Sequence, residues 1–136
     1  MSFKLYPTEE FKKNAKKIKG KYPDFKNDLF EFAKDLKKDP LSFPSLDPLG
    51  DGLFKCRVEI TGKPAGKSFG ARIVYLVITA DNEVWVMTCF DKSDKKDLSP
   101  SELASLRNKA KAAQNASPGA SRETLLQSIY RQRKKK

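Results

Sequence analysis

The first forty residues show two helical repeats of apolar side chains. Phe11, Ala15 and Ile18 recur at intervals of three and four among lysines, which predicts an amphipathic helix. A second apolar stripe predicts another helix over residues 24–39, which ends at an Asp-Pro pair. A short strand over residues 3–6 is expected before them. The turn between the two helices is short, so we expect an antiparallel helical hairpin.

A β pattern follows, in three runs: Leu53–Thr61, Ala71–Ala80 and Glu83–Phe90. Asp81-Asn82 is typical of a tight turn between the last two runs. Residues 39–52 are rich in proline and glycine, which predicts a loop.

A final helix is predicted from Ser99-Pro100-Ser101-Glu102, where a capping serine is followed by proline and, at the third position, by glutamate. The resulting order, β-α-α-β-β-β-α, predicts an α+β fold. Its small, mostly antiparallel β-sheet packs against an N-terminal helical hairpin and a C-terminal helix. We expect one domain over residues 1–114. Residues 115–136 would add a linker and a basic amphipathic extension, either docked on the domain or free until a partner orders it.

Composition narrows the possible functions. The 136 residues carry a formal net charge of +11, which favours a polyanionic partner, nucleic acid first and a membrane surface second. A merely lysine-rich, solvated surface is the simpler alternative. The sequence contains no histidine, which excludes Cys/His zinc sites and a histidine base. Without a long apolar stretch or a signal-peptide pattern, the expected location is cytoplasmic, so Cys56 and Cys89 are expected to be buried, reduced thiols.

Alternation along the first β run decides where its cations point. Phe54 and Cys56 share one face, whereas Lys55 and Arg57 share the other, about 7 Å apart. Arg72 interrupts an otherwise apolar run near the start of the next strand. These cations are either ordinary outward-facing strand residues or a phosphate-binding surface.

Three segments carry a family resemblance: "GLFKCRV" (52–58), "GKSFGARIVY" (66–75) and "MTCFDKSDKKDLSPSEL" (87–103). Together and in this order they resemble the RelE/HigB family of type II toxins, which are ribosome-dependent mRNA endonucleases. The match is closest to the HigB-like branch and covers roughly residues 11–108.

The resemblance implies a small sheet with helices on one face, whose open face enters the ribosomal A site and cuts the codon. The implied chemistry is a metal-independent attack of a 2′-OH on the neighbouring phosphate, without a cofactor. A cognate antitoxin, DNA-binding and HigA-like, is the implied protein partner. The implied catalytic residues are Lys55, Arg57, Arg72 and Lys92.

Rigidly held cations stabilise the negative charge of a phosphorane. Arginine stays protonated and is a poor proton acceptor, so Lys55, if its cationic neighbour holds it neutral, is the candidate base. The expected RNA-binding residues are Lys63, Lys67, Phe90, Lys95 and Lys96; Phe90 is placed to stack on a base or to pack in the core. Ser93 and Ser99 stand where RelE itself carries an arginine and a tyrosine.

Two other functions fit the same sequence. A ParE-like toxin would share the scaffold but inhibit DNA gyrase without catalysis, since one fold hosts several functions. A non-catalytic RNA- or ribosome-binding module would use the basic C-terminal extension as its main anchor.

Overall fold

The computed structural model describes residues 2–63 and 70–115, together with Leu125 and Ile129. Its elements are, in chain order, β1 (Lys4–Pro7), α1 (Glu9–Lys21), α2 (Phe25–Lys38), β2 (Asp47–Gly50), β3 (Leu53–Val58), β4 (Ala71–Ile78), a 3-10 turn (Thr79–Asp81), β5 (Glu83–Asp91) and α3 (Pro100–Asn115). The five strands form one sheet in the order β1-β5-β4-β3-β2. β1 runs parallel to β5, and the other neighbours are antiparallel. The predicted α+β fold with a mostly antiparallel sheet is confirmed.

β2 corrects the prediction of a loop over residues 39–52. Asp47 and Pro48 pair with β3 opposite Lys55 and Phe54, and an edge strand tolerates a proline because one side of it needs no partner. The chain then reverses through residues 50–52, which all adopt positive φ angles between 56° and 92°. Two of these three residues are glycines, which reach such angles without strain.

Helices cover both faces of the sheet. α1 and α2 pack on one face, in a large cluster that includes Cys56, Ile73 and Tyr75. α3 packs on the opposite face, where Leu106 and its neighbours meet Leu53, Val74 and other strand residues. The implied arrangement with helices on one face is therefore wrong: α3 covers part of the face that was expected to be open. Burial on both faces explains why β4 reads as a continuous apolar run.

Helix starts follow the predicted capping chemistry. The Thr8 hydroxyl accepts a hydrogen bond from the Phe11 N–H at 3.1 Å. At α3, the Ser99 hydroxyl accepts from the Glu102 N–H at 3.2 Å, and the Glu102 carboxylate accepts from the Ser99 N–H at 2.7 Å. This reciprocal pair is the predicted capping box.

The extension beyond α3 contributes to the core. Leu125 and Ile129 are helical and fully buried, and they belong to the cluster formed with α1 and α2. Of the two alternatives for this segment, docking on the domain therefore holds for these two residues. The predicted boundary at residue 114/115 stays a prediction.

Both cysteines are buried and free of disulfides, as predicted. Burial raises the pKa of Cys56 to about 12, although the charge of Arg72 opposes this shift. Across residues 2–63 and 70–115, no helix combines the length and the apolar character that crossing a membrane requires.

Candidate active site

Strand register brings three predicted cations together. Arg57 on β3 lies directly opposite Arg72 on β4, and Lys55 lies opposite Val74. Because side chains alternate along a strand, Lys55, Arg57 and Arg72 share one face, which is the face that α3 partly covers. We call these three residues the cationic cluster. Like charges directly opposite each other destabilise a strand pair, so the Arg57–Arg72 pairing is a cost that an anionic ligand would offset.

Gly70 positions the entry to β4. A Cβ atom at this residue would lie 2.5 Å from the backbone oxygen of Val58, so only a residue without a side chain lets the two strands approach here. The Gly70 carbonyl also accepts from the Lys92 N–H at 3.1 Å. This contact holds the Lys92 backbone beside the start of β4. The Lys92 ammonium donates to the Lys96 carbonyl at 2.7 Å.

Two carboxylates hold the Lys55 ammonium. Its Nζ lies 2.9 Å from Asp97 Oδ1 and 3.6 Å from Asp47 Oδ2, and its side chain is 16% exposed. Neither acid was predicted as a site residue. Asp97 lies in the 87–103 segment that carries part of the family resemblance, and this is the sequence feature that could have identified it. Asp47 is brought to Lys55 by β2, which the sequence did not predict.

Arg72 is 8% exposed and donates weakly to the Ala71 carbonyl at 3.4 Å. Burial and then the charge of Arg57 lower its pKa, whereas the negative charge of Asp97 raises it. Arginine remains protonated under such shifts. Arg57 is exposed, so the cluster combines a recessed guanidinium with an accessible one.

Phe90 lies opposite Arg72 on β5 and is almost fully buried. The Lys95 Nζ stands 5.7 Å from the centre of its ring, within the range of a cation–π contact. Lys95 also pairs with Glu102 on α3. The structure thus places Phe90 next to Arg72 of the cationic cluster and Lys95 over the Phe90 ring, while Lys96 is exposed on the same connecting segment as Lys95.

Lys63 has a different environment from the one predicted. Its ammonium pairs with Asp91, and the two side chains are 7% and 4% exposed. It also donates to the Ser93 hydroxyl at 2.6 Å, and that hydroxyl donates to Asp91 at 2.8 Å. Binding RNA through Lys63 requires breaking this buried network. Lys67, the other predicted loop contact, lies outside the described residues.

A cleft of about 900 Å³ adjoins Phe90, between α1 and α3. Lysines and carboxylates both line it, and so do Asn14 of α1 and Thr88, whose hydroxyl accepts from the Asn14 amide at 3.1 Å. Within the described part of the chain, no group of three or more Cys, Asp or Glu residues is arranged to hold a metal ion. The predicted independence from metal and cofactor stays a prediction.

A family model described as the RelE toxin of the RelE/RelB toxin–antitoxin system matches residues 3–130. The chain belongs to the RelE toxin family. Its fold is similar to a structure of an E. coli RelE toxin mutant in the free state, with a TM-score of 0.53 and 17% identity over 80% of this chain and 97% of that one. No curated protein matches. The predicted family is confirmed, and the HigB-like branch stays a prediction.

Proposed function

We propose that this RelE-family toxin is an endoribonuclease that cuts mRNA on the ribosome by 2′-OH transesterification. The observation that carries the proposal is the cationic cluster, held on the paired strands β3 and β4. Strands fix side-chain positions better than loops do, and preorganised charge is what stabilises a developing oxyanion. Like charges are brought together here at a cost to the sheet, which a bound phosphate would offset.

In the proposed reaction the 2′-oxygen attacks the adjacent phosphorus and the bond to the 5′-oxygen breaks, leaving a 2′,3′-cyclic phosphate. One proton leaves the 2′-OH, and one is delivered to the departing 5′-oxygen. Arg72 and Arg57 would bind the non-bridging oxygens, which a guanidinium contacts with two parallel N–H groups. Lys92 would add positive charge near the entry to β4.

Lys55 is the proposed base, and its surroundings set a condition on that role. A proton acceptor must be a neutral amine, whereas the form that pairs with Asp97 and Asp47 is the ammonium. The RNA-bound state therefore has to release Lys55 from these carboxylates before the lysine can take a proton. Without that release, Lys55 would contribute charge rather than accept a proton.

The remaining contacts follow from the surroundings of the cluster. We propose that Lys95 and Lys96 contact the RNA backbone and that Phe90 stacks on a base once Lys95 moves from its ring. The proposed partners are the ribosomal A site with its mRNA, in the cytoplasm, and an antitoxin that neutralises the protein. We propose a DNA-binding, HigA-like antitoxin, in line with the HigB-like resemblance.

Primer extension on mRNA from cells that express the protein tests the proposal. The expected result is cuts in phase with codons, confined to translated message. Arg72→Ala is expected to reduce cleavage by about 10²- to 10³-fold, because it removes a preorganised donor. Arg72→Lys, which keeps the charge but loses the planar fork, is expected to restore part of the activity.

Lys34→Ala is the matched control, because Lys34 is an exposed cation of α2, the helix that packs on the other face of the sheet. It should cleave like the unaltered protein. Circular dichroism checks that each variant is folded. DNA damage with intact mRNA would instead indicate gyrase inhibition, and a folded Arg72→Ala variant that still cleaves would refute the assignment of the site.

A further inference from the structure

Asp97 places a carboxylate among the predicted catalytic cations. Its Oδ1 atom accepts from the Lys55 Nζ at 2.9 Å and from the Leu98 N–H at 2.8 Å. The Lys55 hydrogen bond holds the pKa of Asp97 below its ordinary value, and the charge of Lys92 contributes in the same direction. The field of Asp97 also reaches Arg72, whose pKa it raises. Asp97 thus contacts Lys55 directly, and its charge also acts on Arg72 and Lys92.

The same donors suit a phosphate. Ammonium and guanidinium groups make charge-assisted hydrogen bonds to carboxylate and phosphate oxygens alike. An RNA phosphate that approaches the Lys55 ammonium meets the Asp97 carboxylate, which already accepts a hydrogen bond from that ammonium at 2.9 Å. The carboxylate and the phosphate repel each other and cannot occupy the same space. They therefore compete for this position.

Asp97 is well placed to leave. Its side chain is 59% exposed, and it lies on the segment between β5 and α3, outside regular structure. Lys55 is only 16% exposed, but the carboxylate side of this ion pair faces solvent, so Asp97 can turn away while the strand-borne cations stay in place.

We propose that the Asp97 carboxylate is a built-in competitor of the RNA phosphate: it occupies the anion site of the free protein and leaves when RNA binds. This inference rests on the proposed RNA-cleaving function. A competitor that belongs to the same chain is always present at high local concentration, so it weakens the binding of RNA that is free in solution. RNA that the ribosome presents in a fixed position can displace it, and Asp97 thereby helps to restrict cleavage to ribosome-bound message.

The test measures the affinity of the full chain for a fluorescent, uncleavable 2′-O-methyl RNA hexamer. Asp97→Asn removes the charge and keeps the shape. Asp94→Asn is the matched control, because Asp94 lies on the same segment, is 61% exposed and pairs with Lys21 of α1 rather than with the cationic cluster. Both variants raise the net charge by one, so general attraction to RNA changes equally.

Asp97→Asn is expected to bind the hexamer at least about fivefold more tightly than Asp94→Asn, the factor for one unit charge at about 4 Å in water. The difference should shrink as salt screens the charges. Equal affinities of the two variants would overturn the inference. Weaker binding by Asp97→Asn would also overturn it, because Asp97 would then position Lys55 for RNA rather than compete with RNA.

Arg72→Lys in the same assay separates this inference from the proposed function. Loss of the planar fork should weaken hexamer binding if the cationic cluster is the RNA site. If Arg72→Lys binds normally, the site assignment and the inference both fail. If Arg72→Lys binds weakly while Asp97→Asn and Asp94→Asn are alike, the inference fails and the proposed function stands.

Discussion

Replacement of Lys63 by methionine separates a structural role of this lysine from a role in binding RNA. Lys63 and Asp91 form an ion pair whose side chains are 7% and 4% exposed, and Ser93 completes the network. Methionine matches the length of lysine but carries no charge. In Lys63→Met the Asp91 carboxylate would stay buried without its cation.

The expected loss in free energy of unfolding is about 3–5 kcal/mol, the cost of leaving one partner of a buried pair uncompensated. Asp91→Asn should cost a similar amount, because it leaves the Lys63 ammonium buried without its carboxylate. The double variant should lose about 1–3 kcal/mol less than the sum of the two single variants, since the two groups are in contact. Urea unfolding followed by circular dichroism measures all three values.

Lys21→Met is the matched control. Lys21 pairs with Asp94 at 3.4 Å, but both side chains are more than 60% exposed. Such a pair contributes about 0–1 kcal/mol. If Lys63→Met costs no more than Lys21→Met, the buried network does not stabilise the fold and the reasoning is refuted. Loss of RNA affinity at unchanged stability would then favour the predicted RNA-binding role of Lys63.

The pH dependence gives an independent check. Burial raises the pKa of Asp91, but the hydrogen bonds from Lys63 and Ser93 outweigh it, so the pKa in the folded state is lowered. A lowered pKa stabilises the fold above the unfolded-state value of about 4, and this stabilisation is lost as the pH falls through the folded-state value. The stability difference between the unaltered protein and Lys63→Met should therefore be largest near pH 7 and shrink below pH 4.

Two further predictions concern the sheet and the extension. Gly70→Ala should lose about 1–3 kcal/mol in urea unfolding, because its Cβ would lie 2.5 Å from a backbone oxygen of β3 that cannot move independently; an unchanged midpoint would contradict the close approach. Leu125→Ala should lower the free energy of unfolding by about 2–5 kcal/mol, because Leu125 is fully buried in the larger core cluster. A loss below 0.5 kcal/mol, as expected of a surface residue, would show that the extension does not support the domain.

The cationic cluster could be predicted because its geometry is local. Alternation alone puts Lys55 and Arg57 on one face of a strand, and an antiparallel neighbour with Arg72 near its start brings a third cation alongside. The starts of α1 and α3 were equally predictable, since Thr8 and Ser99 are residue types whose side chains cap a helix N-terminus. These elements depend on residues a few positions apart.

The features that sequence reasoning missed depend on contacts between distant parts of the chain. β2 contains Pro48 and lies in a segment with the composition of a loop, and it becomes a strand because it pairs with β3. The Lys63–Asp91 pair joins residues 28 positions apart. No local pattern indicates such a pair, so the sequence predicts Lys63 to be an exposed cation that binds RNA. The amphipathic pattern of α3 shows that the helix buries one side but not which face of the sheet it covers, which is why the expectation of an open face was wrong in part.

The placement of Asp47 and Asp97 connects the fold with the proposed chemistry. A sheet that pairs Arg57 with Arg72 and adds Lys55 on the same face accumulates positive charge, which opposes folding. The two carboxylates at Lys55 reduce that repulsion in the free protein, from an edge strand and a connecting segment rather than from the central strands. Because both carboxylates are more than half exposed to solvent, they can yield to a stronger anion without disturbing the core. A site that departs from the usual rules of strand pairing and is balanced by displaceable charges has the properties expected of a ligand-binding site.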